Sequence, residues 1–214
     1  MDTIFFDLDG TLTDPKPGIT GSLQYALEKL GRPVPTQDEL TWCIGPPLRD
    51  SLVMLLGGEQ DADRAVALYR ERFGDVGLYE NSLYPGIEAT LAALKPRARL
   101  FVATSKAHVF AERIIDHFGL RSYFDYVFGA ELDGTRVHKG DLLAWALERT
   151  GTDPARALMI GDRSHDIVGA KKNGIDGIGV LYGYGSREEL IEAGAVHLCA
   201  TPQAITDHLS AGPG

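Results

Sequence analysis

Cysteine is nearly absent, with Cys43 and Cys199 as the only two in 214 residues. They lie far apart and lack metal-ligand spacing, which argues against a disulfide framework and a thiolate zinc site. Two free thiols fit a reducing, cytoplasmic setting. No apolar run approaches the roughly 20 residues of a membrane span, so no membrane partner is expected. The chain opens on an apolar strand, with no basic stretch leading into a signal-like apolar region. Basic residues are in deficit, 21 against 30 acidic, for a net charge of −9. That argues against a nucleic-acid polymer as partner, since such binders carry a basic face. A small phosphorylated substrate stays possible, because local charge at a site can oppose the global sign. Internal repeats and low-complexity tracts are also missing. What remains is an ordinary globular composition, 44% hydrophobic and 24% charged. The length suffices for a large domain or a domain with an insertion.

Two segments rich in proline and glycine or small polar residues, 13–18 and 81–86, punctuate the chain. Between them the pattern is helical. Ile19, Leu23, Ala26, Leu27 and Leu30 form a stripe that Gly31 closes. A short helix is expected at 36–42, another at 47–56 ended by Gly57-Gly58, and a longer one from about Asp61. After Tyr84 the rhythm alternates. Strands are expected at 100–103, 126–128, 157–160 and 178–181, with an edge strand at 196–198. They join a first strand at 3–6. Helices are expected at 87–94, 109–118, 142–150, 166–173, 188–193 and 202–209, and 211–214 reads as a frayed end. Alternation of this kind builds a parallel sheet with helices on both faces. The expected fold class is α/β: a Rossmann-like three-layer α/β/α core, residues 1–14 and 83–214, with an inserted α-helical cap, residues 15–82. Ligands of such sheets bind outside the carboxyl ends of the strands. Asp7 and Asp9, Thr104 and Ser105, and Gly161 and Asp162 all stand there.

Asp7 and Asp9 are two residues apart, so they share a face if the strand geometry continues. Two anions that close repel, so one takes a proton or a cation sits between them. A carboxylate paired with Mg²⁺ can attack phosphorus, and its neighbour can move the leaving group's proton. A lone Asp before Gly10 would read as a turn residue, but a turn needs only one. Thr104 and Ser105 offer hydroxyls and backbone N–H groups that could hold phosphate oxygens or cap the next helix. Lys106 is either a solvated charge or part of the same site. Lys139, just before a helix, could neutralise phosphate and Asp7 together. Asp162 and Asp166 lie in the run Gly161-Asp162-Arg163-Ser164-His165-Asp166, which suits a hard cation held by oxygen atoms. His165 has no further His or Cys for a soft metal and reads as structural.

Taken together, DLDGT at Asp7–Thr11, the strand ending in Thr104, Lys139 and GDRSHD at Gly161–Asp166 resemble the haloacid dehalogenase superfamily of phosphohydrolases. The resemblance covers about residues 1 to 210. The insertion resembles the cap of phosphoglycolate phosphatase-like members. The stretches CIGPPLRDSL, YENSLYPGI and GDRSHDIVGAKKNGI look like the branch labelled 5′-nucleotidase-like. The resemblance implies that Asp7 is the nucleophile, forming an aspartyl-phosphate, and that Asp9 acts as acid and then base. It implies Mg²⁺ held by Asp7, the backbone carbonyl of Asp9 and Asp162, with Asp166 in support. Thr104 and Lys139 would bind the transferring phosphoryl group, with Gly10 and Ser105 beside them. The insertion would be a mobile lid, and Arg49 in its loop could read a substrate carboxylate or second phosphate. The implied protein is a monomer or weak homodimer that hydrolyses a small phosphorylated metabolite, phosphoglycolate or a nucleoside 5′-monophosphate. Three alternatives stay open: a phosphomutase of the β-phosphoglucomutase type, a dehalogenase, and a non-catalytic phospholigand-binding regulator. The family's dehalogenases lack the second acid, so Asp9 speaks against that alternative.

Overall fold

Thr3–Phe6, strand β1, is buried at every position, as a strand covered on both faces must be. The computed structural model to which it belongs describes residues 2–210; the end expected to fray, 211–214, lies outside them. The chain divides into two compact units. One is made of the segments before Asp14 and after Ser82, and the other is Asp14–Ser82. The boundary falls within two short strands, β2 (Thr13–Asp14) and β3 (Ser82–Leu83), which form a two-stranded sheet.

Unit Asp14–Ser82 is helical, with α1 (Lys16–Lys29), α2 (Leu48–Leu56) and α3 (Ala62–Arg72). The short helix expected at 36–42 is a 3₁₀ segment at Asp38–Cys43. A π-helical turn, Phe73–Gly77, continues past α3. It was not foreseen, because Gly74 and Gly77 interrupt the apolar period that marks a helix in sequence.

The larger unit continues with α4 (Ile87–Leu94), β4 (Arg99–Ala107), α5 (His108–His117), β5 (Tyr126–Ala130) and α6 (Lys139–Thr150). It closes with β6 (Ala157–Gly161), α7 (Ser164–Lys172), β7 (Asp176–Val180), α8 (Arg187–Ala193), β8 (His197–Cys199) and α9 (Pro202–Ser210). Six strands form one parallel sheet in the order β5-β4-β1-β6-β7-β8, and with its helices it is a Rossmann-like α/β fold. No described helix is long and apolar enough to cross a membrane.

The position of β1 locates the crevice. Its neighbours are β4 on one side and β6 on the other, so chain crossovers depart in opposite directions at its carboxyl end. Phe6 stands level with Val102 and Ile160, which places the first residues past all three strands side by side. Parity does the rest. Phe5 packs with Phe101, Phe128, Met159 and with Leu142 and Leu143 of α6; its ring lies 5.4 Å from that of Phe101. Asp7 is two residues on and faces the same way, toward the start of α6.

Among the boundaries that differ from expectation, three lie at the site. β4 runs on to Ala107 instead of stopping at 103, and its register against β5 shifts between Thr104 and Ala107. α6 begins at Lys139 itself, and α7 begins at Ser164 rather than at Asp166. Polar residues at element ends carry no hydrophobic period, so periodicity cuts elements short there.

Candidate active site

Past β1 the chain keeps one more sheet bond, from the Asp7 N–H to the Ile160 carbonyl at 2.9 Å. This fixes the Asp7 backbone against β6. Its carboxylate shares a buried volume with Asp162, past the end of β6, and Asp166, in the first turn of α7. One carboxylate oxygen from each lies within 4.8 Å of the others.

Lys139 enters the same volume from the start of α6. Its Nζ donates to Asp7 Oδ1 at 2.8 Å, to Asp166 Oδ1 at 2.7 Å and to the Ala103 carbonyl at 2.7 Å. All three ammonium protons are thereby used. Burial alone would pull the Lys139 pKa down, but Asp166 and Asp7 outweigh it and hold the group above its ordinary value. The carboxylates show the opposite stress. Burial, followed by the charges of Asp166 and Asp7, pushes Asp162 well above the usual carboxylate range. Burial also raises Asp166, with Asp7 adding to it and Lys139 opposing.

Three buried carboxylates thus face one ammonium. The donor set is oxygen only, the oxygens are close enough to share an ion, and positive charge is short. These properties fit a hard divalent cation such as Mg²⁺.

Asp9 takes a different partner. Its Oδ2 lies 3.0 Å from Lys106 Nζ, with the two side chains 9% and 7% exposed. Its Oδ1 is buried and, among the described residues, has no hydrogen-bond partner. Burial raises the Asp9 pKa, Lys106 pulls it back, and Asp7 adds to the rise. A carboxyl with one oxygen held and the other available, and inclined to carry a proton, suits general acid–base work.

Gly10 follows with φ +85. A Cβ there would sit 2.2 Å from Asp162 Oδ2, so only glycine lets the chain turn under that carboxylate. The structure therefore places Gly10 against Asp162. Thr104 is buried, and its hydroxyl oxygen accepts the Lys106 N–H at 3.2 Å within the irregular end of β4. The alternative that Thr104 caps the next helix is excluded, since Ala107 is the N-cap of α5. Ser105 is half-buried next to it. His165 is also half-buried, and burial, then Arg163 and Lys139, lowers its pKa. Arg49 is placed on α2 in the other unit, where it pairs with Glu59 at 2.6 Å and Asp63 at 2.9 Å.

The partners of Asp162 were not foreseen from the sequence, although Thr11 lies in the DLDGT motif. Thr11 Oγ1 donates to Asp162 Oδ1 at 3.4 Å, and the Tyr184 N–H donates to Asp162 Oδ2 at 2.8 Å. The Tyr182 hydroxyl donates to the Thr11 carbonyl at 3.1 Å. A signal was present: Tyr182-Gly183-Tyr184-Gly185 follows β7, and residues past a strand's carboxyl end are site candidates by the rule that singled out Asp7.

Comparison with known proteins gives a consistent setting. The haloacid dehalogenase-like hydrolase family model matches residues 4–180. A 5′-nucleotidase of Pseudomonas aeruginosa is 48% identical over 204 residues, covering 94% of this chain and 92% of that protein. A Mycobacterium tuberculosis protein named tyrosine-protein kinase PtkA is 45% identical over 183 residues, covering 85% of this chain and 62% of that protein. The crystal structure of a predicted phosphatase from Clostridium acetobutylicum aligns with a TM-score of 0.95 at 41% identity, covering 98% of each chain.

Proposed function

From the premise that this chain belongs to the haloacid dehalogenase-like hydrolase family, we propose that it is a Mg²⁺-dependent phosphomonoesterase working through an aspartyl-phosphate on Asp7. The observation that carries this reading is the division of partners: Lys139 holds Asp7, while Asp9 keeps a buried oxygen that has no hydrogen-bond partner among the described residues.

In the first step an oxygen of Asp7 attacks phosphorus. The bond from phosphorus to the ester oxygen breaks, and Asp9 delivers its proton to the departing alkoxide. In the second step Asp9 takes a proton from water, which attacks the same phosphorus and returns Asp7 as a carboxylate. One carboxyl serves as acid and then base because the reaction is split in two. Thr104 and Ser105 hold the phosphoryl oxygens in place, while Lys139, bound to Asp7, Asp166 and the Ala103 carbonyl, orders Asp7 and offsets negative charge beside them. The Gly10 N–H is taken by the Thr13 carbonyl at 2.8 Å, so Gly10 is left out of this role. Mg²⁺, held by Asp7, Asp162 and the Asp9 carbonyl with Asp166 in support, would supply positive charge between two anions that otherwise repel. Unit Asp14–Ser82 serves as a cap that governs substrate access and choice.

A nucleoside 5′-monophosphate is the first substrate to try and phosphoglycolate the second. With Mg²⁺ present, release of inorganic phosphate is expected from a member of a phosphomonoester panel. EDTA should reduce it to background, and excess Mg²⁺ should restore it. Turnover that persists in EDTA would rule out metal dependence. No release from any ester, or isotope exchange between sugar positions without release, would overturn the phosphatase reading.

Arg49 is proposed to recognise a second anionic group of the substrate. It is already neutralised by Glu59 and Asp63, so it must leave them to do so. Arg49→Ala is therefore expected to raise KM by about tenfold, roughly one exposed charge-assisted contact, with kcat little changed. An unchanged KM on the preferred substrate would remove Arg49 from this role.

A further inference from the structure

The turn that carries Asp162 and Asp166 is held from outside. Arg163, in its middle, is locked to Asp166 through the backbone: its N–H donates to Asp166 Oδ2 and its carbonyl accepts the Asp166 N–H, both at 3.1 Å. Arg163 and its neighbour Ser164, at the head of the turn, are gripped by α8. Glu189 Oε1 accepts the Ser164 N–H at 2.7 Å and Arg163 Nε at 3.0 Å. Ser164 is the first residue of α7, and its N–H is one of the helix-start donors that no intrahelical carbonyl can satisfy. Glu189 lies 25 positions away in sequence from Ser164, so its contact ties one helix to another.

Glu189 is in turn fixed. Its own N–H donates to Ser186 Oγ, the N-cap of α8, at 3.0 Å. The segment joining β7 to α8 lies on the turn at backbone contact. A Cβ on Gly183 would sit 2.3 Å from the Gly10 carbonyl oxygen and 2.4 Å from Asp162 Cβ. One on Gly185 would sit 2.0 Å from the Asp162 carbonyl oxygen. Neither position has room for a side chain, and the Tyr184 N–H between them binds Asp162 directly.

We propose that Glu189 is a positioning residue for the acidic centre: through Arg163 and Ser164 it sets the turn so that Asp162 and Asp166 both face Asp7. Glu189 does not touch the cation or the substrate. This inference rests on the proposed Mg²⁺ site and extends it to a residue outside the acidic cluster. Groups that orient ligands in this way commonly alter metal affinity by 10- to 100-fold when removed.

The test is calorimetric titration of the full chain with Mg²⁺ alone, in the absence of substrate, with thermal melts in EDTA alongside. Glu189→Ala is expected to weaken Mg²⁺ binding by about tenfold or more. Glu189→Gln keeps an oxygen that can accept from Ser164 and should recover most of the loss; it also serves if the alanine variant folds poorly. Ser186→Ala removes the cap of α8 and its bond to the Glu189 N–H, but leaves the bonds of the Glu189 carboxylate to Ser164 and Arg163 in place. It should lower the melting temperature while leaving the Mg²⁺ dissociation constant within about twofold of wild type. Unaltered Mg²⁺ affinity in Glu189→Ala would overturn the proposal, as would equal weakening by Ser186→Ala. Wild-type protein that binds no Mg²⁺ would overturn the metal site itself, an outcome distinct from a wild type that binds and a variant that binds equally well.

Discussion

Asp7→Asn is expected to end phosphate release, lowering kcat by on the order of 10⁴-fold or more, the scale seen when a nucleophile is removed. The amide matches the carboxylate in shape, so packing at the end of β1 survives. Its nitrogen and neutral oxygen cannot form an acyl-phosphate. The fold should tolerate the change. Lys139 loses one anionic partner, though the amide oxygen can still accept from it, and it retains Asp166 and the Ala103 carbonyl. Removal of one charge also relieves Asp162 and Asp166, both pushed up partly by Asp7. The melting temperature in EDTA should therefore stay within a few degrees of wild type. Single-turnover measurement with the preferred ester checks the first claim and a thermal melt the second. A variant that still releases phosphate at a tenth of the wild-type rate would remove Asp7 as nucleophile.

Lys139→Met should be the more damaging change to the folded state. Methionine keeps much of the apolar stem, so little packing is lost. What disappears is the one ammonium among three buried carboxylates, together with three hydrogen bonds. Removal of one partner from a buried ion pair costs about 3–5 kcal/mol, because a charge is left uncompensated. For a chain of this size that corresponds to a fall in melting temperature on the order of 10 °C. Turnover should drop as well, by about 10²–10³-fold, the usual effect of losing a donor aimed at the reacting group. Mg²⁺ should recover part of the lost stability in the variant, since it opposes the same excess of negative charge. A melting temperature equal to wild type in EDTA would show that the carboxylates take up protons at no cost, contrary to the charge imbalance described.

Much of this arrangement could be read from the chain. The strand Thr3–Phe6 and the two-residue spacing of Asp7 and Asp9 placed both carboxylates near one point, and alternation after Tyr84 made the sheet parallel. The division between the two carboxylates was not legible. Asp7 shares Lys139 with Asp166, whereas Asp9 goes to Lys106. The destination of Lys106 depends on β4 continuing past Ala103 with a shifted register, and no hydrophobic period encodes that. Glu189 was invisible for a related reason. At the start of a helix an acidic residue is favourable anyway, so its identity gives no hint that it serves the helix before it. Arg49 shows the converse: its residue type suggested anion recognition, but the ion pairs with Glu59 and Asp63 depend on how α2 and α3 pack.

The pairing of β2 with β3 has a consequence for modular design. The chain leaves one unit and returns to it through two strands that are bonded to each other. The ends of Asp14–Ser82 are therefore neighbours before anything is placed between them, and the entropic penalty of closing that gap grows only slowly with the length of what is inserted. Asp7, Asp9, Thr104, Lys106, Lys139, Asp162, Asp166 and Glu189 all belong to the other unit. On the proposed function, the bond-breaking residues and the inserted segment thus belong to separate units of the chain, and the join between them is a pair of two-residue strands.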